Sequence, residues 1–440
     1  MTSDALRASF SGTILVEGDE GFSTYPFAVG APSLVVRPQS TDDVAAALRH
    51  ASDSGLAVTI RSGGHSAGSY TSVPGGLVLD LSGFDGIAVD GTAVTVGAGA
   101  TWGAVAAALG QQHLALTSGD TMSVGVGGLT LGGGVGWLVR KYGLALDSLR
   151  SARLVTADGR QVTASDDENP DLFWAIRGGG GNFGVVTDFT FEAHPLEGVV
   201  HGVIAFATDD LGALLRGYRD VMRDAPEELN VTFMQFPPMG PEMPGGPTLH
   251  VVWGGTDVDE AMTHIQPLLD LSGVVSNDIS AKPYADSLDE PHPPEPGAPM
   301  PTMVGNNGWM RDFSDEAIAA VVAMDESLAG SVLMVRYLRG AFNRVPADST
   351  AFAWRDAETL VISVAFLPPD TPSTVVEGVN AAWESVAEFT RGTYGNFVTE
   401  AGERVVGLMY PPATLARLRE IKTIWDPTNL FDQNQNILPA

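Results

Sequence analysis

The stretch SGDTMSVGVGGLTLGGGVGW, Ser118 to Trp137, carries eight glycines. Ordering so many glycines is entropically costly, and core packing gains nothing from them. What they permit is a backbone lying flat against a large ligand, with its N–H groups turned toward that ligand. Val124, Val126, Leu129, Leu131 and Val135 are interleaved with the glycines and would anchor the run in a core, which argues against a slack loop. No Gly-Lys-Ser/Thr closes the run, so it is not a P-loop. A second run, RGGGGNFGVV from Arg177 to Val186, contains a literal G-x-G-x-x-G at Gly179, Gly181 and Gly184. A dinucleotide-binding turn needs a strand before it and a helix after it. Here a helical segment precedes the glycines and a strand follows, so an NAD-type site is rejected.

A third glycine feature is RSGGHSAGSY, where His65 stands behind two glycines at the end of the apolar run AVTI. By position alone His65 is a loop residue, a ligand, a base or a covalent attachment point. The other histidines, at 50, 113, 194, 201, 250, 264 and 292, form no H-x-E, H-E-x-x-H or H-x-H pattern, so no metal site is expected. No G-x-S-x-G elbow supports a serine hydrolase. The chain has no cysteine, which excludes disulfides, zinc-thiolate and iron–sulfur sites and thiol catalysis.

With 440 residues the chain exceeds a single core, and two or three domains are expected. A content of 44% hydrophobic and 18% charged residues is that of a folded protein. The net charge of −29 makes nucleic acid and anionic membranes poor partners. No run of about 18 apolar residues marks a membrane span. The N-terminus lacks the charged and apolar regions of a signal peptide, so a cytoplasmic location is expected.

The first 200 residues read as short strands and a few helices. Strands are expected over 33–38, 57–62, 77–82, 93–99 and 183–195, and a hairpin over 152–164 turning at Asp158-Gly159. Helices are expected over 40–55, capped by Ser40 or Thr41, over 100–112, capped by Thr101, and over 169–178, opened by Pro170. Beyond Pro195 glycine thins out and segments lengthen. VVHGVIAFAT, NVTFMQF, TLHVVWGG, SVLMVRYLRG and TLVISVAFLP read as strands; DDLGALLRGYRDVMRD, DVDEAMTHIQPLLDL and TPSTVVEGVNAAWESVAEFTR read as helices. This α+β pattern suggests one antiparallel sheet backed by helices. Two Pro-rich stretches, 236–247 and 289–301, read as surface loops.

Taken together, IRSGGHS, LVLDLS, VGVGGLTLGGGVGWLVRKYGLALDSL, DLFWAIRGGGGNFGVVTDF and IKTIWDPTNLFDQNQNILP resemble the berberine-bridge-enzyme-like FAD-linked oxidases of the vanillyl-alcohol-oxidase superfamily. The resemblance implies a two-subdomain PCMH-type FAD-binding domain over 1–197 (core about 27–197). It implies an α+β substrate domain over 198–400 and a segment, 401–440, that returns to the FAD domain. It implies that Ile60, Arg61, Ser62, Gly63, Gly64 and Ser66 cradle the cofactor pyrophosphate, with His65 bonded to the flavin 8α-methyl carbon. Gly119, Asp120, Ser123, Val124, Gly127, Gly128, Gly133, Gly134 and Val186 would line the flavin site, and Asn434 and Asn436 would bond its pyrimidine edge. Many members add a link through cysteine in G-x-C-P-x-V-G; here GDTMSVG places Thr121 at that position, so His65 is the only tether open to this chain.

The small Val124 matches the position beside the flavin carbon where oxygen reacts, so an oxidase giving H2O2 is expected, with substrate hydride passing to N5. The family's Y-x-N-Y stretch is read at LMYPPATLARL, where only Tyr410 remains. Tyr394, in RGTYGNF, is a second catalytic candidate. A flavin dehydrogenase with another acceptor and an oxidative cyclase of secondary metabolism are the alternatives. The expected partners are O2 and a small organic substrate, to a monomer or homodimer. Phe233, Gln235, His250, Trp253, Arg336, Tyr337, Arg339 and Trp354 lie on the expected substrate strands. Strand alternation lets about half of them face a pocket, and at most one of Arg336 and Arg339.

Overall fold

The computed structural model describes residues 6–7, 10–22, 31–66, 73–238, 245–290, 301–328 and 330–440. Parts of both Pro-rich stretches lie outside these residues. The first module joins two sheets around one core. In the first sheet Leu34–Arg37, Leu77–Asp80 and Val58–Arg61 run parallel, and Thr13–Leu15 pairs antiparallel at the edge. The second is antiparallel, in the order Ile87–Asp90, Ala93–Gly97, Val185–Glu192, Leu149–Val155, Gln161–Ser165. The helix Thr41–Ser54 starts where the Ser40 hydroxyl accepts the Asp43 N–H and stops at Gly55, whose φ of 64° is left-handed. Thr101 caps Trp102–Gly110 in the same way, and Pro170 opens Pro170–Ile176.

The chain end belongs to this module. Leu418 and Ile421, on the helix Pro412–Trp425, and Phe431 and Ile437 beyond it are buried in the same core as Phe189 and Val96. Lys422 fixes the join. Its ammonium is fully buried and donates to Asp426 Oδ2 (2.6 Å), the Asn182 carbonyl (2.8 Å) and the Phe431 carbonyl (3.1 Å).

The second module is an antiparallel sheet in the order Val274–Asn277, Val199–Phe206, Gly246–Trp253, Leu229–Phe236, Ser331–Tyr337, Thr359–Leu367, Thr302–Met310, with Ser280–Lys282 also paired to Val199–Phe206. The helices Leu211–Asp224, Val258–Leu269, Asp315–Ser327 and Ser373–Ala387 cover one face. The other face meets the glycine-rich first module: Met234 and Val252 pack with Trp137 and Leu138. The segment from Trp137 to Asp147 ties the modules together. Trp137 Nε1 donates to the Ser287 carbonyl, Lys141 to the Gly254 carbonyl, and Asp147 takes a bidentate pair from the buried Arg355. The buried Arg140 donates to the carbonyls of Ala225, Pro226, Leu229 and Arg339. Sequence alone leaves Thr302–Met310 and Asp315–Ser327 unassigned. Among the described residues no helix is long and apolar enough to cross a membrane.

Candidate active site

A cavity of about 450 Å³ lies where the glycine-rich segments converge. Ile60 to Ser66 leave the parallel sheet at the end of Val58–Arg61 and form one wall. The Ser62 hydroxyl holds this loop against the next one by donating to the Ala98 carbonyl (2.6 Å) and accepting the Gly127 N–H (3.3 Å). Gly63 crosses Gly125 so closely that a Cβ on Gly63 would sit 2.3 Å from the Gly125 nitrogen, so only glycine fits there. The second wall comes from Gly119, Asp120, Thr121, Val124, Gly127 and Gly128. The glycine-rich run is not wholly extended: Val126–Gly132 is a short helix, and a Cβ on Gly128 would meet open space.

The reversed G-x-G-x-x-G supplies a third wall. Gly179, Gly181 and Gly184 all line the cavity, between the helix Pro170–Ile176 and the strand Val185–Glu192, with Val186 beside them. The tail closes the remaining side with Gln433, Asn434 and Gln435. Asn182 holds the tail there, donating to the Gln435 carbonyl (3.2 Å) and accepting the Ile437 N–H (2.9 Å).

Of the residues expected around a flavin, Ile60 to Ser66, Gly119, Asp120, Val124, Gly127, Gly128, Val186 and Asn434 line this cavity; Ser123, Gly133, Gly134 and Asn436 do not. Ser123 instead presents its backbone to the His65 ring. The Gly133 Cβ position faces the Phe352 and Tyr394 rings, and the Gly134 N–H donates to the Tyr394 hydroxyl (2.8 Å). Asn436 falls between the two bonds that Asn182 makes to Gln435 and Ile437, outside the wall. Gln433, Gln435 and Asn182 are wall residues that the sequence reading omits. The QNQN repeat pointed to the right segment but not to which of its amides face the cavity.

His65 lines the cavity and is exposed. Partial burial lowers its pKa, and the Ser123 backbone offsets part of that shift. The lowered pKa favours the neutral imidazole near pH 7.

Both tyrosines line the cavity, but neither offers a free base. The buried Tyr410 hydroxyl donates to the Gly178 carbonyl (3.0 Å), and burial pushes its pKa far above the usual phenol range. Tyr410 therefore braces the third glycine loop. The Tyr394 oxygen accepts from Gly134 N–H and Asn396 Nδ2 (2.9 Å), while burial raises its pKa. The Y-x-N-Y stretch is also relocated. Tyr394-Gly395-Asn396-Phe397 lines the cavity as a unit, with phenylalanine in the final position, whereas Thr414 and Leu415 lie on the helix Pro412–Trp425 outside the wall.

The register of the second sheet resolves its candidates. Phe233, Trp253 and Tyr337 are buried against the helices, and Gln235 donates to Asp325 on the helix Asp315–Ser327. Trp354 donates to the Met409 carbonyl, and the half-exposed Arg339 lies 3.7 Å from Glu358. His250 and Arg336 face the first module. His250 stacks on Trp137, with ring centroids 6.0 Å apart, and burial lowers its pKa to about 4. Arg336 is ion-paired with Asp120.

The cavity suits a flat, hydrogen-bonding cofactor. Its walls are glycine backbone, and among the described residues the buried side-chain oxygens of Asn434 and Gln435 have no partner. Among the described residues no cluster of three metal-ligating side chains occurs.

The pattern described as "FAD binding domain" matches residues 32–165, and that described as "Berberine and berberine like" matches 394–438, starting at Tyr394. (R)-6-Hydroxynicotine oxidase of Paenarthrobacter nicotinovorans is 30% identical, over 99% of this chain and 98% of that one. This chain belongs to the berberine-bridge-enzyme-like FAD-linked oxidoreductases. The solved 6-hydroxy-D-nicotine oxidase of Arthrobacter nicotinovorans superposes with a TM-score of 0.85 at 28% identity, over 98% of this chain and 99% of that one. Glucooligosaccharide oxidase of Acremonium strictum, described with a 6-S-cysteinyl, 8α-N1-histidyl FAD, superposes with a TM-score of 0.83 at 26% identity, over 100% of this chain and 99% of that one. The mixed α+β fold is thus that of the family, and the protein is an FAD-dependent enzyme.

Proposed function

We propose that this enzyme is an oxidase with FAD attached through His65 alone, acting on a small organic amine or alcohol with O2 as acceptor. The observation that carries this reading is the His65 side chain. It lines the cavity at the end of the glycine loop, and burial lowers its pKa, which favours the neutral, nucleophilic imidazole. Thr121, which the resemblance puts where relatives with a second link carry cysteine, also lines the cavity, and its hydroxyl is bonded to Asp120. When bound, FAD would supply the two-electron chemistry: it would accept the substrate's hydride equivalent and pass both electrons to O2, giving H2O2.

The chain's own residues bind, orient and exclude water. Arg61 to Ser66, Gly119 to Gly128, Gly178 to Gly184 and Gln433 to Gln435 would hold the cofactor. Tyr394, Phe397 and Asp120 border the space left for substrate. Val124 lines the wall, and its small side chain would leave room for O2.

The test is to screen amines, alcohols and sugars for anaerobic bleaching of the isolated protein, then to admit air. Rapid return of color with stoichiometric H2O2 supports the oxidase. Reduced flavin that persists in air indicates a dehydrogenase, and a ring-closed product mass indicates an oxidative cyclase.

A further inference from the structure

Asp120 is the only carboxylate among the described residues that line the cavity. The glycine-rich run puts it there, directly before Thr121, whose hydroxyl donates to its Oδ1 (3.1 Å). Its partner comes from the other module. Arg336 lies on Ser331–Tyr337, is 3% exposed, and gives one Nη2 hydrogen bond to Asp120 Oδ2. The guanidinium sits between the Trp137 and Phe397 rings, 5.8 Å from each centroid, and its Nε has no partner among the described residues. Breaking a buried pair leaves an uncompensated charge, so Arg336 holds Asp120 both in place and ionised. The Asp120 backbone is pinned as well, because its carbonyl accepts the Asp289 N–H (2.7 Å). Arg61, also on the wall, lies 3.6 Å from Asp80. Asp120 thus presents free acceptor lone pairs to the cavity, where both tyrosine oxygens are already engaged.

We propose that Asp120 is the specificity-determining carboxylate of this site, accepting an N–H or O–H of a neutral or cationic substrate beside the flavin and disfavouring anionic ones, with Arg336 positioning it. The inference rests on the flavin reading above. It assigns the polar anchor to the cofactor module rather than to the substrate sheet, none of whose strand residues lines the cavity.

Sulfite tests it without a known substrate. This small anion adds to oxidised flavin at the position that accepts hydride, and the loss of visible absorbance reports its affinity. Asp120→Asn keeps the side-chain shape, removes the negative charge and leaves Arg336 uncompensated, so sulfite binds at least about tenfold more tightly. Tenfold is about 1.4 kcal/mol, which one unit charge supplies at about 12 Å with an effective dielectric of about 20. Arg336→Gln has the opposite effect and weakens the adduct. The double variant D120N/R336Q, which buries no lone charge, returns to within about threefold of wild type.

Flavin content, read from absorbance before titration, separates the two ideas. Wild-type protein that carries no flavin refutes the flavin reading. Flavin-loaded proteins in which D120N leaves sulfite affinity unchanged or lower, or in which no protein forms the adduct, overturn the role of Asp120.

Discussion

Replacing Lys422 by methionine should uncouple the chain end from the cofactor cavity. The Lys422 ammonium is fully buried, and all three of its protons are spent, at 2.6 Å on Asp426, 2.8 Å on Asn182 and 3.1 Å on Phe431. Burial lowers its pKa and Asp426 pulls it back, so the pair survives only as a pair. Methionine fills the volume but leaves Asp426, also fully buried, with only the backbone N–H groups of Leu430 and Phe431 and the Thr428 hydroxyl. Removing one partner of a buried pair costs about 3–5 kcal/mol. For a module of this size each kcal/mol lowers melting by roughly 2–4 °C, so a fall of about 10 °C is expected. Asn182 loses the contact that aligns its loop with Gln433 to Gln435, so the flavin should become exposed to solvent at the same temperature. The assay is a thermal ramp followed by both circular dichroism and flavin fluorescence. Adding Asp426→Asn removes the orphaned carboxylate and should recover part of the loss. A shift of K422M below about 3 °C, or flavin exposure that still occurs at the wild-type temperature, would refute the reasoning.

Three further outcomes follow from the same geometry. Gly63→Ala places a Cβ 2.3 Å from the Gly125 nitrogen and 2.7 Å from its Cα, which backbone cannot yield, so the purified variant should lose most of its flavin absorbance. Tyr410→Phe removes only the bond to the Gly178 carbonyl, costing about 1 kcal/mol, and should leave anaerobic flavin reduction within about threefold; a drop beyond about a hundredfold would make Tyr410 a base. Burial pushes the Asp325 carboxyl up to about 6, so the fold holds its proton more tightly than the unfolded chain does. That contribution is present below the ordinary carboxylate range and is lost as pH rises through about 6. Denaturant titrations should therefore find Asp325→Asn gaining on wild type between about pH 4 and 7 and more stable at the upper end; parallel curves count against it.

The glycine-rich runs, the reversed G-x-G-x-x-G and the capped helices of the first module were legible in the sequence because each rests on a local rule. Ser40, Thr101 and Pro170 stand at helix starts as read. The strand Thr302–Met310 was not legible, because the Asn-Asn-Gly within it reads as a turn. In the fold, Asn307 spends its amide on the Tyr394 backbone and the Thr393 hydroxyl, which no local pattern announces. The choice between Arg336 and Arg339 needed strand register, and the partner of Arg336 lies 216 residues away in sequence. The Y-x-N-Y stretch was misplaced because Tyr410 precedes the R-L pair as expected, while the fold puts Tyr394 to Phe397 on the wall.

The central claim is that His65 is the single flavin tether. Acid-precipitated wild-type protein should stay yellow, and its proteolytic peptide spanning His65 should carry the mass of FAD, while His65→Ala gives a colorless pellet with flavin in the supernatant. An unmodified His65 peptide from flavin-loaded wild type, or a yellow pellet from His65→Ala, would contradict it.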